Sequence, residues 1–153
     1  MRILMVCLGN ICRSPLAEGI LQSKVDSKEI KVDSAGTAGY HVGNAPDSRS
    51  VEVAKKHNID ISSQKCRKFT SDDFDLFGLI FVMDRGNYEE VQRLARNDYD
   101  MDKVHMILNE VHPGSNQSVP DPYFGGDQGF ENVYQMLDEA CDIIANKYHL
   151  NEG

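Results

Sequence analysis

The run Val6-Cys7-Leu8-Gly9-Asn10-Ile11-Cys12-Arg13-Ser14-Pro15 concentrates the chemistry of this chain. A cysteine closes a short apolar segment, an arginine stands six positions after it, and a helix start follows at once. Ser14 is a good N-cap, and Pro15 sits at the first helical position, where proline is tolerated. N–H groups at a helix N-terminus have no intrahelical partner and carry partial positive charge, so an anion settles there readily. Gly9 permits the tight curl, and Asn10 tolerates left-handed backbone angles. Arg13 offers a planar fork of donors that matches two oxygens of a phosphate. The same positive field favours the thiolate form of Cys7. The spacing describes a loop, Leu8, Gly9, Asn10, Ile11, Cys12 and Ser14, that holds a tetrahedral oxyanion against a sulfur nucleophile. Taken singly, Cys7 would be a small buried hydrophobe, Arg13 a solvated charge and Gly9-Asn10 an ordinary turn. Their order along the chain is what joins them.

A second group lies far along the sequence, Val119-Pro120-Asp121-Pro122-Tyr123-Phe124-Gly125-Gly126. Two prolines flank Asp121 and stiffen its backbone. A carboxyl on a fixed loop beside a phosphate site can protonate a leaving group and then take a proton from water.

The elements that must position these groups follow from the hydrophobic pattern. Ile3-Leu4-Met5-Val6 reads as a short buried strand. Leu16, Ala17, Ile20, Leu21 and Val25 recur at helical spacing from Pro15 onward. Residues 30–33 alternate as a half-buried strand does, and 34–39 read as a flexible loop. A helix is expected from a cap at Asp47 to about His57. Leu79 to Met83 is a continuous apolar run, typical of a central parallel strand. Tyr88, Val91, Leu94 and Ala95 mark a helix, and Val104 to Leu108 a further strand. Asn109 to Asp127 is a long connection, whose length argues for a functional loop. Val133, Leu137, Ala140, Ile144 and Tyr148 form one face of a closing helix from about Phe130 to Tyr148. Strand and helix alternate four times. The expected fold is therefore α/β, a four-stranded parallel sheet with helices on both faces and the phosphate-binding loop after the first strand. Ligands in such folds sit beyond the carboxyl ends of the strands, where Cys7 lies. Asp84, at the end of the third strand, should face the same crevice.

Composition bounds the reading. The chain has 153 residues, with 41% hydrophobic residues and a net charge of −8. Those values suit one domain over residues 1–153 and disfavour nucleic acid or an anionic membrane as partner. Cys7, Cys12, Cys66 and Cys141 are too few for a disulfide scaffold, and their spacing does not match a zinc site. The histidines show no metal-ligand spacing, so no metal and no cofactor is expected. The apolar run before Cys7 is too short for a signal peptide and no stretch spans a membrane. A reducing, cytoplasmic location follows, in which Cys7 stays a thiol.

With V-C-L-G-N-I-C-R-S-P, D-S-A-G-T at 33–37 and D-P-Y at 121–123, the chain resembles the low-molecular-weight protein tyrosine phosphatases along nearly its whole length. The resemblance implies a phosphotyrosine-containing protein or peptide as substrate and no metal or cofactor. It implies Cys7 as nucleophile, Arg13 as phosphate clamp and Asp121 as general acid and base. Asn10 and Ser14 match positions that brace the loop and hydrogen-bond the thiolate, and Ser34 a position in the same network. Tyr40 and Tyr123 match positions lining the aromatic slot for the substrate ring, with Phe124 beside them. Cys12 matches a second loop cysteine that forms a reversible disulfide with the nucleophile. Two positions depart from the pattern. Phe124 stands where many relatives carry a second tyrosine, and Gln64 where animal relatives carry a histidine. A monomer or weak homodimer is the expected state.

Four other readings meet obstacles in the sequence. A thioredoxin-coupled arsenate reductase of this fold needs further redox cysteines in a mobile segment, where only Cys66 lies. A protein arginine phosphatase of the same family carries threonine where this chain has Ile11. A phosphocysteine carrier needs no general acid, and a non-catalytic phosphotyrosine-binding module needs neither Cys7 nor Asp121.

Overall fold

The computed structural model describes residues 1–122 and 126–149. Four strands form one parallel sheet in the order β2-β1-β3-β4. They are β1 (Arg2–Cys7), β2 (Lys31–Gly36), β3 (Leu79–Val82) and β4 (Val104–Met106). The helices are α1 (Arg13–Lys24), α2 (Ser48–Lys56), α3 (Asp73–Leu76), α4 (Arg85–Leu94), α5 (Asp98–Asp102) and α6 (Gly126–His149).

The central strand β1 is buried on both faces, and its side chains divide the core by parity. Ile3 and Met5 pack with Leu16, Ile20 and Leu21 of α1, Val53 and Ala54 of α2, and Val133, Leu137 and Ile144 of α6. Leu4 and Val6 pack on the opposite face with Phe69, Phe74, Ile80, Val82 and Val91. Successive strand residues point to opposite faces, so one strand feeds two cores. Lys24, at the end of α1, pairs with Asp138 and Asp142 of α6 at 2.9 and 2.7 Å. Among the described residues, no helix is long and apolar enough to cross a membrane.

Several boundaries differ from the sequence expectation. β2 continues through Ser34, Ala35 and Gly36, which were expected to be loop. Gly36 pairs with Cys7, and a Cβ on it would lie 2.8 Å from the carbonyl oxygen of Leu8. Its glycine serves close approach to the anion loop rather than a turn. Ser14 does not cap α1. Cys12 holds the N-cap position without a side-chain cap bond, and Ser14 lies inside the first turn with its hydroxyl turned toward Cys7. Pro15 is the third helical residue rather than the first, and is tolerated there because first-turn N–H groups lack intrahelical acceptors. Asp47 caps α2 as expected, accepting from the Arg49 N–H. The strand expected to reach Leu108 ends at Met106, and 107–110 form a 3₁₀ turn. α3 and α5 have four and five residues, too few to show a helical period.

Candidate active site

β1 ends on Cys7, and the chain curls at once beyond the carboxyl edge of the sheet. Neighbouring segments hold this curl by its carbonyls. Cys7 and Leu8 oxygens accept from the N–H groups of Thr37 and Ala38, and Ile11 oxygen accepts from Asp47, at 2.8–2.9 Å. The Asn10 carbonyl accepts from Cys66 Sγ at 2.7 Å. Among the described residues, nothing takes a hydrogen bond from the N–H groups of Leu8, Gly9, Asn10, Ile11 and Cys12. Backbone donors near the interior call for an acceptor. Here five sit together at the start of α1, where the helix dipole adds positive potential. Asn10 takes a left-handed φ of 58°. Its side-chain bonds provide for that conformation, which asparagine reaches more easily than most residues.

The nucleophile candidate and the clamp are both buried, at 3% exposure each. Cys7 Sγ lies 3.0 Å from Ser14 Oγ. Asn10 Nδ2 donates to Ser14 Oγ at 2.9 Å and to Ser34 Oγ at 3.0 Å. Arg13 Nη1 donates to Asp84 Oδ2 at 2.7 Å and to the Val119 carbonyl at 2.9 Å. Asp84 also caps α4, in a reciprocal arrangement with Asn87. Removing Asp84 would leave a buried guanidinium short of a counter-charge.

Cys7, Leu8, Gly9, Ile11, Cys12, Arg13, Tyr40, His41 and Asp121 line one cleft. The structure thus brings Asp121 to the Cys7–Arg13 loop, although they lie more than a hundred positions apart in the sequence. Asn10, Ser14 and Ser34 stand behind the cleft as bracing groups. Tyr40 is on the lip, 78% exposed, with its ring edge-on to His41 at 6.4 Å. Tyr123 and Phe124, expected to complete the aromatic slot, lie outside the described residues. Among the described residues, no three His, Cys, Asp or Glu side chains converge as a metal-binding group.

Burial governs the other three thiols. Burial pushes the Cys12 thiol up to about 12, helped by the negative charges of Asp47, Cys7 and Asp121. Burial also raises Cys66 and Cys141. Cys66 spends its S–H on the loop carbonyl, and Cys141 is fully buried in α6.

Four contributors were missed by the sequence reading or assigned other work. Asp84 was expected to face the crevice, and it does so as the partner of Arg13. His41 lines the cleft. Cys66 and the Arg67 N–H hold the two ends of Asn10, at its carbonyl and at Oδ1. For Asp84 a signal existed, since an acidic residue directly after an apolar strand and before a helix is an N-cap pattern.

With this geometry in place, comparison with known proteins adds the lineage. The family described as low molecular weight phosphotyrosine protein phosphatase matches residues 2–152. The human low molecular weight phosphotyrosine protein phosphatase is 37% identical over 151 residues, covering 96% of this chain and 95% of its own. A protein tyrosine phosphatase from Entamoeba histolytica, solved with Hepes in its active site, superposes with a TM-score of 0.91 at 35% identity over 100% of this chain and 99% of that one. More distantly, the arginine phosphatase YwlE, solved as a cysteine-to-serine mutant with a phosphorylated active-site serine, gives a TM-score of 0.86 at 25% identity, covering 97% and 96% of the two chains.

Proposed function

The chain belongs to the low molecular weight phosphotyrosine protein phosphatase family, and from that premise we propose that it hydrolyses phosphotyrosine in proteins or peptides through a phosphocysteine on Cys7. The observation that carries the reading is the placement of Cys7, Arg13 and Asp121 around one cleft, against a loop whose N–H groups are left for an anion.

The reaction runs in two displacements. The Cys7 thiolate attacks phosphorus in line, forming the S–P bond as the P–O bond to the phenol breaks. The loop N–H groups and Arg13 hold the equatorial oxygens while charge shifts among them. Asp121 gives its proton to the departing phenolate oxygen. The same carboxylate then takes a proton from water, whose oxygen attacks phosphorus and releases phosphate and the thiolate. Ser14 hydrogen-bonds the sulfur in its anionic state. In the mutant arginine phosphatase the introduced serine carries phosphate, which supports a covalent intermediate on the equivalent atom here.

Ile11 favours an aromatic substrate over phosphoarginine. It is a half-buried apolar side chain in the wall of the cleft. A guanidinium there would lose water without gaining a partner. The reading also takes residues 1–153 as one catalytic domain acting in a reducing, cytoplasmic compartment, where the four free cysteines stay thiols.

The test is turnover of phosphotyrosine, phosphoserine and phosphoarginine peptides by the parent chain and by Cys7→Ser. Phosphotyrosine should be cleaved fastest, and the variant should be inactive while still folded and able to bind phosphate. Turnover by Cys7→Ser would remove the assignment of the nucleophile, and faster phosphoarginine cleavage would remove that of the substrate.

A further inference from the structure

Behind the cleft a polar chain crosses from β2 to α1 and ends on a carboxyl that the two displacements do not use. Glu18 lies one helical turn after Ser14, on the same face of α1. Its Oε1 accepts from Ser34 Oγ at 2.7 Å. Ser34 Oγ accepts from Asn10 Nδ2, the same nitrogen donates to Ser14 Oγ, and Ser14 Oγ stands 3.0 Å from Cys7 Sγ.

The direction of each bond follows from Asn10. Its Oδ1 accepts from the Arg67 N–H at 3.0 Å, so its nitrogen must face the two serines. A serine hydroxyl has a single proton. Ser34 accepts from Asn10, so its proton goes to Glu18. Ser14 also accepts from Asn10, and its proton is left for Cys7 Sγ, which is nearer than the alternative acceptor, the Ala35 carbonyl at 3.5 Å. An ionised carboxyl at the end of the chain keeps Ser34 from turning its proton against the Asn10 amide. Ordering Asn10 in turn leaves Ser14 one way to point.

We propose that Glu18 is a positioning residue for the phosphatase reaction, whose ionised carboxyl orients Ser34, Asn10 and Ser14 so that Ser14 donates to the sulfur, and whose protonation loosens that orientation. The inference rests on Cys7 as nucleophile.

The surroundings accommodate both protonation states. Burial raises the Glu18 carboxyl to about 7, Asp33 adds to this, and the Ser34 hydrogen bond and Arg67 oppose it. Arg67 is itself shared between Asp73 and Asp33, and Asp60 lies on the same outer cleft. Gln64 lines that cleft beside Glu18. Its Nε2 donates to the Pro15 carbonyl, while its Oε1 is buried with no hydrogen-bond partner among the described residues.

The experiment is alkylation of Cys7 by iodoacetamide from about pH 5 to about pH 9, read as modification of the Cys7 peptide by mass spectrometry. Cys12, Cys66 and Cys141 are held protonated by burial and report little in this window. The parent should show an inflection near pH 7 in addition to the titration of Cys7 itself. Glu18→Gln, which keeps an acceptor for Ser34 without the charge, should lose it. Ser34→Ala, which cuts the chain but leaves Glu18 in place, should lose it too. A profile unchanged in Glu18→Gln overturns the proposal, as does an inflection that survives in Ser34→Ala. The underlying reading is tested apart from this, because Cys7→Ser that still turns over an aryl phosphate removes the nucleophile whatever Glu18 does.

Discussion

The anion loop and the segment that brings Asp121 to it are built by opposite means. From Cys7 to Arg13 nearly every polar group outside the N–H cradle is tied to another element. From residue 111 to 122 only Val119 and Pro122 are buried, and Asp121 is exposed on the cleft wall. Val119 is the anchor, its N–H donating to the Met83 carbonyl and its carbonyl accepting from Arg13. An Asn109–Asn116 pair closes the rest of the segment on itself. The difference separates two duties. The nucleophile and the phosphate donors must be in place before the substrate arrives, because their effect comes from preorganisation. The proton donor must meet leaving oxygens of varied shape, and an exposed position on the cleft wall suits that. Arg13 joins the two regions, gripping the acid-bearing segment with the nitrogen that also pairs with Asp84.

Breaking the junction should have a large effect. Arg13→Lys loses the planar fork and cannot hold phosphate, Asp84 and Val119 together. Aryl phosphate kcat/KM should fall on the order of 10³-fold, measured against unchanged folding by circular dichroism. A fall of less than about tenfold would mean that charge alone suffices.

Asp84→Asn tests the bracing side of the same junction. It keeps a hydrogen-bond acceptor but removes the counter-charge of Arg13 and weakens the α4 cap. A loss of about 10- to 100-fold in kcat/KM is expected, equal for good and poor leaving groups, because the clamp and not the acid is disturbed. Loss confined to poor leaving groups would reassign Asp84 to proton transfer.

Cys12→Ser should leave turnover within about twofold of the parent, since its buried thiol takes no part in either displacement. It should lose fast recovery after peroxide, because oxidised Cys7 would no longer be trapped as a disulfide. Equal recovery in the two proteins would leave Cys12 a packing residue.

The smallest effect is on stability. Glu18 is raised from an ordinary 4.5 to about 7 in the folded chain. The folded state therefore binds its proton more tightly, and stability from this group is complete below about pH 4.5 and lost as pH rises through about 7. Glu18→Gln should lack that decline, so its urea midpoint should gain on the parent's between about pH 5 and about pH 8. Parallel pH dependence in both would show that Glu18 does not carry the decline.

Much of the site was legible in the sequence because it is contiguous. Cys7, Asn10, Arg13 and Ser14 announce a loop by type and spacing alone, and the parallel sheet follows from four strand–helix alternations. Asp121 was found through its prolines and a resemblance. What stayed hidden are partners supplied across the chain. Asp84 lies 71 positions from Arg13, Cys66 56 from Asn10 and Val119 106 from Arg13. Local pattern carries no such pairing. Ser14 shows the converse error, since its type and place fit a cap, yet the nearby sulfur and Asn10 claim its hydroxyl. Gly36 was taken for loop because glycine in a strand is unfavourable by itself, and only the closeness of the Leu8 carbonyl explains it.

The central claim, a fixed nucleophile served by a separately carried acid, is tested most directly by rapid-quench mass spectrometry of Asp121→Asn. Substrates would be a series of aryl phosphates from poor to good leaving groups. Phosphate should be found on the Cys7 peptide, accumulating in a burst with the best leaving group because its first step needs little proton help and the second step lacks its base. Phosphotyrosine cleavage should fall on the order of 10²–10⁴-fold, and the loss should shrink steadily as the leaving phenol becomes more acidic. Equal slowing across the series with no phosphate on Cys7 would contradict the account.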